Sequence, residues 1–326
     1  MREELQKRCD HFIAARDVIR DTFKWNSTYM PPVCANLFCA AGQMPDADRL
    51  RACRDLINRN TGIFSSFRGE IRVPLSCLLS MEDRPEEKFE QVQQVYQMLR
   101  EQFFASDYLA LAAFLLSEYD CTQEKIARGK GIYRRMRAEH PLLTSSEDSI
   151  FAVMLAWSEL SDDALIEDME QSYRLLKERF HDSNCVQTMT HILAMEKENA
   201  KVKCERVFTL YDLLEQSLMK YGRHHELAVL AALAMLEADP NALVMDMLEV
   251  DAFLQEQKGY GFFGIERKTR LMHAGMIVSD AYTPRDAVDT AALSGTVSMI
   301  IAQQMAVCAV IASSAVASSS STSSHS

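Results

Sequence analysis

Six apolar segments recur along the chain and stop on similar steps: Pro74–Ser80, Leu111–Ser117, Ala152–Ser158, Met189–Met195, Leu230–Leu236 and His273–Ser279. Their starts are 37, 41, 37, 41 and 43 residues apart. Between them lie five amphipathic segments. Four carry a tyrosine followed three residues later by Leu or Met: Tyr96/Leu99, Tyr133/Met136, Tyr173/Leu176 and Tyr211/Leu214. The fifth holds the register with Asp251 and Leu254. Two interleaved series with nearly one period predict an all-α chain written as one helical hairpin about six times, since a period near 40 belongs to paired-helix arrays. The apolar member of each pair is called the A helix and the amphipathic member the B helix.

Before the repeats, Glu3–Trp25 places Leu5, Cys9, Phe12, Ile13, Ile19 and Phe23 on one side, as in a helix that needs a partner. Pro31-Pro32 is expected to end the following loop, with helices over Val33–Ala41, stopped by a left-handed Gly42, and over Asp46–Asn58. These three make residues 1–62 an N-terminal cap, and the array itself runs over 63–317. Between hairpins, Asp83 with Pro85, Thr122, Ser161, Asp239-Pro240 and Thr283-Pro284 supply helix starts. Pro74 means that its helix either kinks or begins there.

The B segments, such as Leu165–Phe180, have one apolar stripe and face outward. Leu109–Leu116, Phe151–Trp157 and Leu227–Leu236 are apolar nearly all round and require cover on both sides. The array could close into an α/α ring, stay an open α-solenoid filled by the chain's own C-terminal segment, or hold an apolar ligand or partner. Residues 290–326 carry no formal charge, and Thr296–Ala312 is a strongly apolar helix candidate that could close the last hairpin. A membrane anchor through 291–317 competes with that reading, its length being near the ~20 residues a span needs. Gln303-Gln304 and the absence of flanking Lys or Arg count against it. The tail 318–326 is Ser-rich and expected to be disordered.

Charge narrows the partners. With 35 basic and 46 acidic residues the net charge is −11, which argues against a nucleic-acid backbone. Nine cysteines, scattered and without a C-x-x-C pair, together with the charged start Met1-REELQKR, point to a reducing, cytoplasmic setting. No cofactor is implied.

Several stretches are more specific than the repeat requires: Thr61–Glu70, His140–Ser149, Leu254–Ile265, Arg270–Ser279 and Gly295–Gln304. Together they resemble a bacterial family of all-helical proteins catalogued as a domain of unknown function, over residues 1–317. The resemblance implies the helical class and carries no activity, cofactor or partner.

Candidate chemistry is sparse. Gly259–Gly264 fits G-x-G-x-x-G, but a helix precedes it where a dinucleotide site needs a strand, so a glycine-permitted turn is the better reading. His224-His225-Glu226 could begin a metal-dependent hydrolase site, yet neighbouring residues point apart and no further ligands stand at metal spacing. His191 and His273 read as core histidines. Ser145 and Asp148 stand at capping-box spacing. No catalytic residue and no metal ligand is assigned.

One geometric expectation joins these stretches. In antiparallel hairpins every B-to-A connection falls on one edge, so A-helix N-termini should gather there with Arg68, Gly69, Ser145, Ser146, His224, His225, Gly261, Arg267, Lys268 and Arg270. That rim would suit an acidic or phosphorylated ligand, a protein or peptide above all. The expected function is a non-catalytic binding scaffold; the alternatives are the hydrolase and a membrane-tethered adaptor.

Overall fold

The computed structural model describes residues 1–24, 30–69, 71–217, 219–261 and 264–283. Among these residues there are fourteen α-helices, one 3-10 turn and no strand. The closing segment and membrane anchor expected within 290–317, the Ser-rich tail, and residues 262–263 of the glycine motif lie outside the described residues. The helices group into two compact units, one made of residues 1–15 with 167–283 and the other of residues 16–166. The divisions fall inside α1 (Glu3–Thr22) and α9 (Asp162–Lys177).

In the 16–166 unit the helices are α2 (Met30–Ala41), α3 (Ala47–Asn60), α4 (Arg72–Met81), α5 (Pro85–Arg100), α6 (Asp107–Leu116), α7 (Gln123–Glu139) and α8 (Asp148–Leu155). Helix α2 begins at Met30 and not at Val33, because Pro31 and Pro32 sit in a first turn that has no use for their missing N–H groups. It stops at Gly42, whose φ of +64° is left-handed, and Gln43 N donates to Phe38 O. Pro74 likewise lies in the first turn of α4, so that helix begins there and does not kink. Asp46, Ser106 and Thr122 accept backbone N–H bonds at the starts of α3, α6 and α7.

Helix α2 packs on α4, α3 on α4 and α5, α5 on α6 and α7, α6 on α8, and α7 on α8. Every residue from Leu109 to Leu116 is buried, as expected of a helix apolar all round. Each fully buried Leu or Phe there contributes roughly 1.5–3 kcal/mol, far more than any cap.

The other unit contains α10 (Ser183–Leu193), α11 (Ala200–Gln216), α12 (Leu227–Ala234), α13 (Pro240–Gln255) and α14 (Arg267–Tyr282). Helix α10 packs on α12, α12 on α14, α11 on α12 and α13, and α13 on α14. The amphipathic helices bury one stripe, in α11 Lys203, Cys204, Val207, Leu210, Tyr211 and Leu214. The wholly apolar α12 is buried throughout. Residues 1–15 lie against the last described helices: Phe12 meets His273 with ring centroids 6.3 Å apart, Arg8 pairs with Asp280, and Arg2 Nη2 reaches Asp246 Oδ2 at 2.9 Å.

Candidate functional site

The connections that lead from an amphipathic helix into the next apolar one touch their neighbours within each unit. In the 16–166 unit Gly69, between α3 and α4, leaves the space that the Asp107 carboxylate at the start of α6 fills; a Cβ there would collide with it. Tyr108, one residue on, bonds Glu147 of the α7–α8 connection. Burial, and then the charges of Glu147 and Asp107, push its phenol up. In the other unit His224 Nδ1 lies 2.8 Å from Asp182 Oδ2, joining the α11–α12 and α9–α10 connections. Arg267, where α14 begins, lies against Met219 Sδ.

The residue at the tyrosine register holds four of the connections in place. Tyr96 packs edge-on to Phe67 at 4.8 Å, and Tyr133 to Phe103 at 5.8 Å, with its hydroxyl donating to Ser145 O. The Tyr211 hydroxyl accepts from Arg223 Nε at 2.7 Å. In the fifth amphipathic segment, α13, Asp251 stands at that register, and a carboxylate 3% exposed needs a cation. Arg270 supplies it through Nε to Oδ1 at 2.7 Å and Nη2 to Oδ2 at 3.2 Å, while Nη1 donates to Tyr260 O. Arg270 is therefore a core residue, 8% exposed, and presents nothing to a ligand.

Arg68 is also engaged internally. It donates to the carbonyls of Asn58 and Thr61 and to Thr61 Oγ1, so it caps the C-terminal end of α3. Ser145 and Ser146 are exposed, but Ser145 N donates to Asp148 Oδ2 at 2.7 Å while Ser145 Oγ accepts from Glu147 N, two residues on and not three, so only the Asp148 half of the expected capping box forms. Ser146 O accepts from Ser149 Oγ.

Gly261 belongs to a turn that bonds itself: Gly264 N donates to Gly261 O and Ile265 N to Gly259 O, both at 2.8 Å. Gly259 has a φ of +91°, and a Cβ on Gly264 would strike the Gly259 carbonyl, so both positions need glycine. Helix α13 ends just before it, as a dinucleotide site would not allow. Inside the turn, buried Tyr260 bonds His273 Nδ1 through its hydroxyl at 2.8 Å.

His224, His225 and Glu226 do not converge. His224 faces Asp182, and His225 Nε2 is 3.7 Å from Glu226 Oε1. The Glu226 carboxylate, 2% exposed, accepts from His224 N. Among the described residues no group of three or more His, Cys, Asp or Glu is placed to hold a metal. Partial burial opposes ionisation of Asp182, but the bonds from His224 and Cys185 win and hold its carboxyl below the ordinary aspartate value. Arg267 and Lys268 are exposed in the first turn of α14, where Glu266 makes no side-chain cap. His224, Arg267 and Lys268 thus remain outward-facing on adjacent connections.

A family profile described as a protein of unknown function, DUF4003, matches residues 17–306. The chain belongs to the DUF4003 family. This DUF4003 chain is also similar to the uncharacterized protein YeaA of Bacillus subtilis (strain 168), with 22% identity over 272 residues covering 79% of this chain and 82% of that protein. No solved structure matches it. Among the described residues no helix is long and apolar enough to cross a membrane.

Two features of this DUF4003 structure go beyond the sequence reading. Lys130, Arg134 and Arg137 form a cationic face on α7, which the i, i+4, i+7 spacing would have shown. The connection tips of the 16–166 unit also expose large apolar side chains, and no periodic signal marks those.

Proposed function

We propose that this DUF4003 protein is a non-catalytic cytoplasmic binding scaffold of stacked helical hairpins, whose B-to-A connections form the contact surface. The next-but-one packing of the apolar helices, α6 on α8 and α10 on α12 on α14, supports the hairpin array. The eight described cysteines are unbridged, in keeping with a reducing compartment.

The contact surface is narrower than the composition of the connections implies. In the unit containing 167–283, His224, Arg267 and Lys268 bind an acidic or phosphorylated ligand, most simply a peptide. One observation carries this reading: two exposed cations open α14 where no side chain caps the helix, beside the connection that carries His224. A phosphate would take N–H bonds from the first turn and charge-assisted bonds from the side chains. Nothing in the arrangement of His224, His225 and Glu226 supports the hydrolase alternative.

The test is anisotropy titration of the full chain with matched peptide pools, one phosphorylated on serine and one not. The phosphorylated pool should bind, and Arg267→Glu with Lys268→Glu should weaken it at least about tenfold, the ~1.4 kcal/mol of one charge-assisted bond. Equal binding of both pools, or a double variant that binds as the wild type does, removes the proposal.

A further inference from the structure

The four most exposed large apolar side chains among the described residues are Phe64 (96%), Leu142 (96%), Phe104 (88%) and Ile63 (74%). All four lie in the 16–166 unit, on its three successive B-to-A connections. Each phenylalanine tip is paired with an inward neighbour. Phe67 packs on Phe89 and Tyr96 while Phe64 faces solvent; Phe103 packs on Tyr133 while Phe104 faces solvent. The connections are thus fixed by one aromatic and expose another, and exposed apolar clusters of this kind mark contact with a protein or a membrane.

Beside these tips α7 carries Lys130, Arg134 and Arg137, at the i, i+4 and i+7 positions of one face. Among the described residues none of the three makes an ion pair. Lys130 Nζ lies 4.7 Å from the Phe103 ring centroid and 5.2 Å from that of Tyr133, and Arg137 bonds the Tyr133 hydroxyl. Burial, and then repulsion from Arg134 and Arg137, lowers the Lys130 ammonium, so the three charges are felt as one cluster. Three acids of this edge have contacts of their own: Asp107 sits against Gly69, Glu147 bonds Tyr108, and Glu101 accepts from Gln123 Nε2 at 3.0 Å. Glu139 stays exposed.

We propose that residues 16–166 dock on an anionic lipid surface, with Ile63, Phe64, Phe104 and Leu142 entering the interfacial layer and Lys130, Arg134 and Arg137 meeting headgroup phosphates. A peptide needs walls around its side chains, and apolar groups with about three-quarters of their area or more in solvent have almost none. A bilayer interface instead receives projecting apolar groups flanked by cations. No spanning helix is required. The inference involves different residues and a different ligand from the peptide reading above and does not rest on it.

The experiment is co-sedimentation of the full chain with vesicles of phosphatidylcholine alone and of phosphatidylcholine mixed with phosphatidylglycerol, at low and high salt. Mixed vesicles should retain the protein and neutral ones should not, with retention falling as salt rises. The triple variant Phe64→Ser, Phe104→Ser, Leu142→Ser and the double variant Arg134→Glu, Arg137→Glu should each lose at least tenfold in vesicle affinity. All five positions are exposed, so unchanged thermal unfolding is expected to confirm that both variants fold. Failure of the wild type to bind mixed vesicles overturns the proposal, as does vesicle binding that survives in the triple variant, which would locate it elsewhere in the chain. Binding of an acidic apolar peptide pool that only the triple variant loses, with vesicles ignored, would assign the tips to a peptide and overturn it equally.

Discussion

Asp251 and Arg270 show how one position can be misread from its neighbours. Arg270 follows Arg267 and Lys268 in the sequence, and a charged run at a helix start reads as solvated. Its burial is dictated from nineteen residues upstream, where Asp251 replaces the tyrosine that anchors the earlier connections. The exchange of Tyr for Asp is visible in the register, but its partner Arg270 lies outside the repeat pattern, so the pairing is not. Removing the carboxylate leaves a guanidinium 8% exposed with Tyr260 O and Gln255 as weak partners. Asp251→Ala should cost about 3–5 kcal/mol in urea unfolding. Arg267→Ala, at an exposed site, should stay within about 0.5 kcal/mol. Similar losses in the two variants would contradict the separation of core cation from surface cation.

At the scale of elements, most helix starts were readable because capping chemistry is local. Thr122, Ser161 and Asp239 accept N–H bonds two or three residues on. The ends of the apolar helices were harder to read, since their carbonyls are met from another helix. Lys88, Lys125 and Lys203 each stand eight residues before a register tyrosine, Tyr96, Tyr133 and Tyr211. Lys88 pairs with Glu118 just beyond α6, Lys125 Nζ is 3.4 Å from Ala156 O at the end of α8, and Lys203 Nζ is 2.9 Å from Leu193 O at the end of α10. A cation at a helix C-terminus offsets the helix dipole, and Lys125 and Lys203 also satisfy orphan carbonyls. Lys203 is fully buried and binds Asp168 Oδ2 at 2.6 Å as well. Lys203→Met should therefore destabilise the protein by ~2–3 kcal/mol in chemical unfolding, through an unpaired carboxylate and bare carbonyls. A loss below about 0.5 kcal/mol would show that the lysine is incidental.

For the molecule as a whole, the helical class was legible because apolar residues recur at helical spacing along the chain, and the described residues hold helices and no strand. The grouping of residues 1–15 with 167–283 was not, since Arg8 and Asp280 are 272 residues apart and no repeat encodes their meeting. The pattern of the connections alone does not separate the charges that face outward, His224, Arg267 and Lys268, from those used internally, Arg68 and Arg270. The central claim is that the 167–283 part works through its outward-facing connections. Hydrogen exchange of the full chain with and without the serine-phosphorylated peptide pool tests it most directly. The account predicts new protection within 219–226 and 264–270 and none at the opposite connections, 194–199 and 235–239. Protection confined to those opposite connections would contradict it.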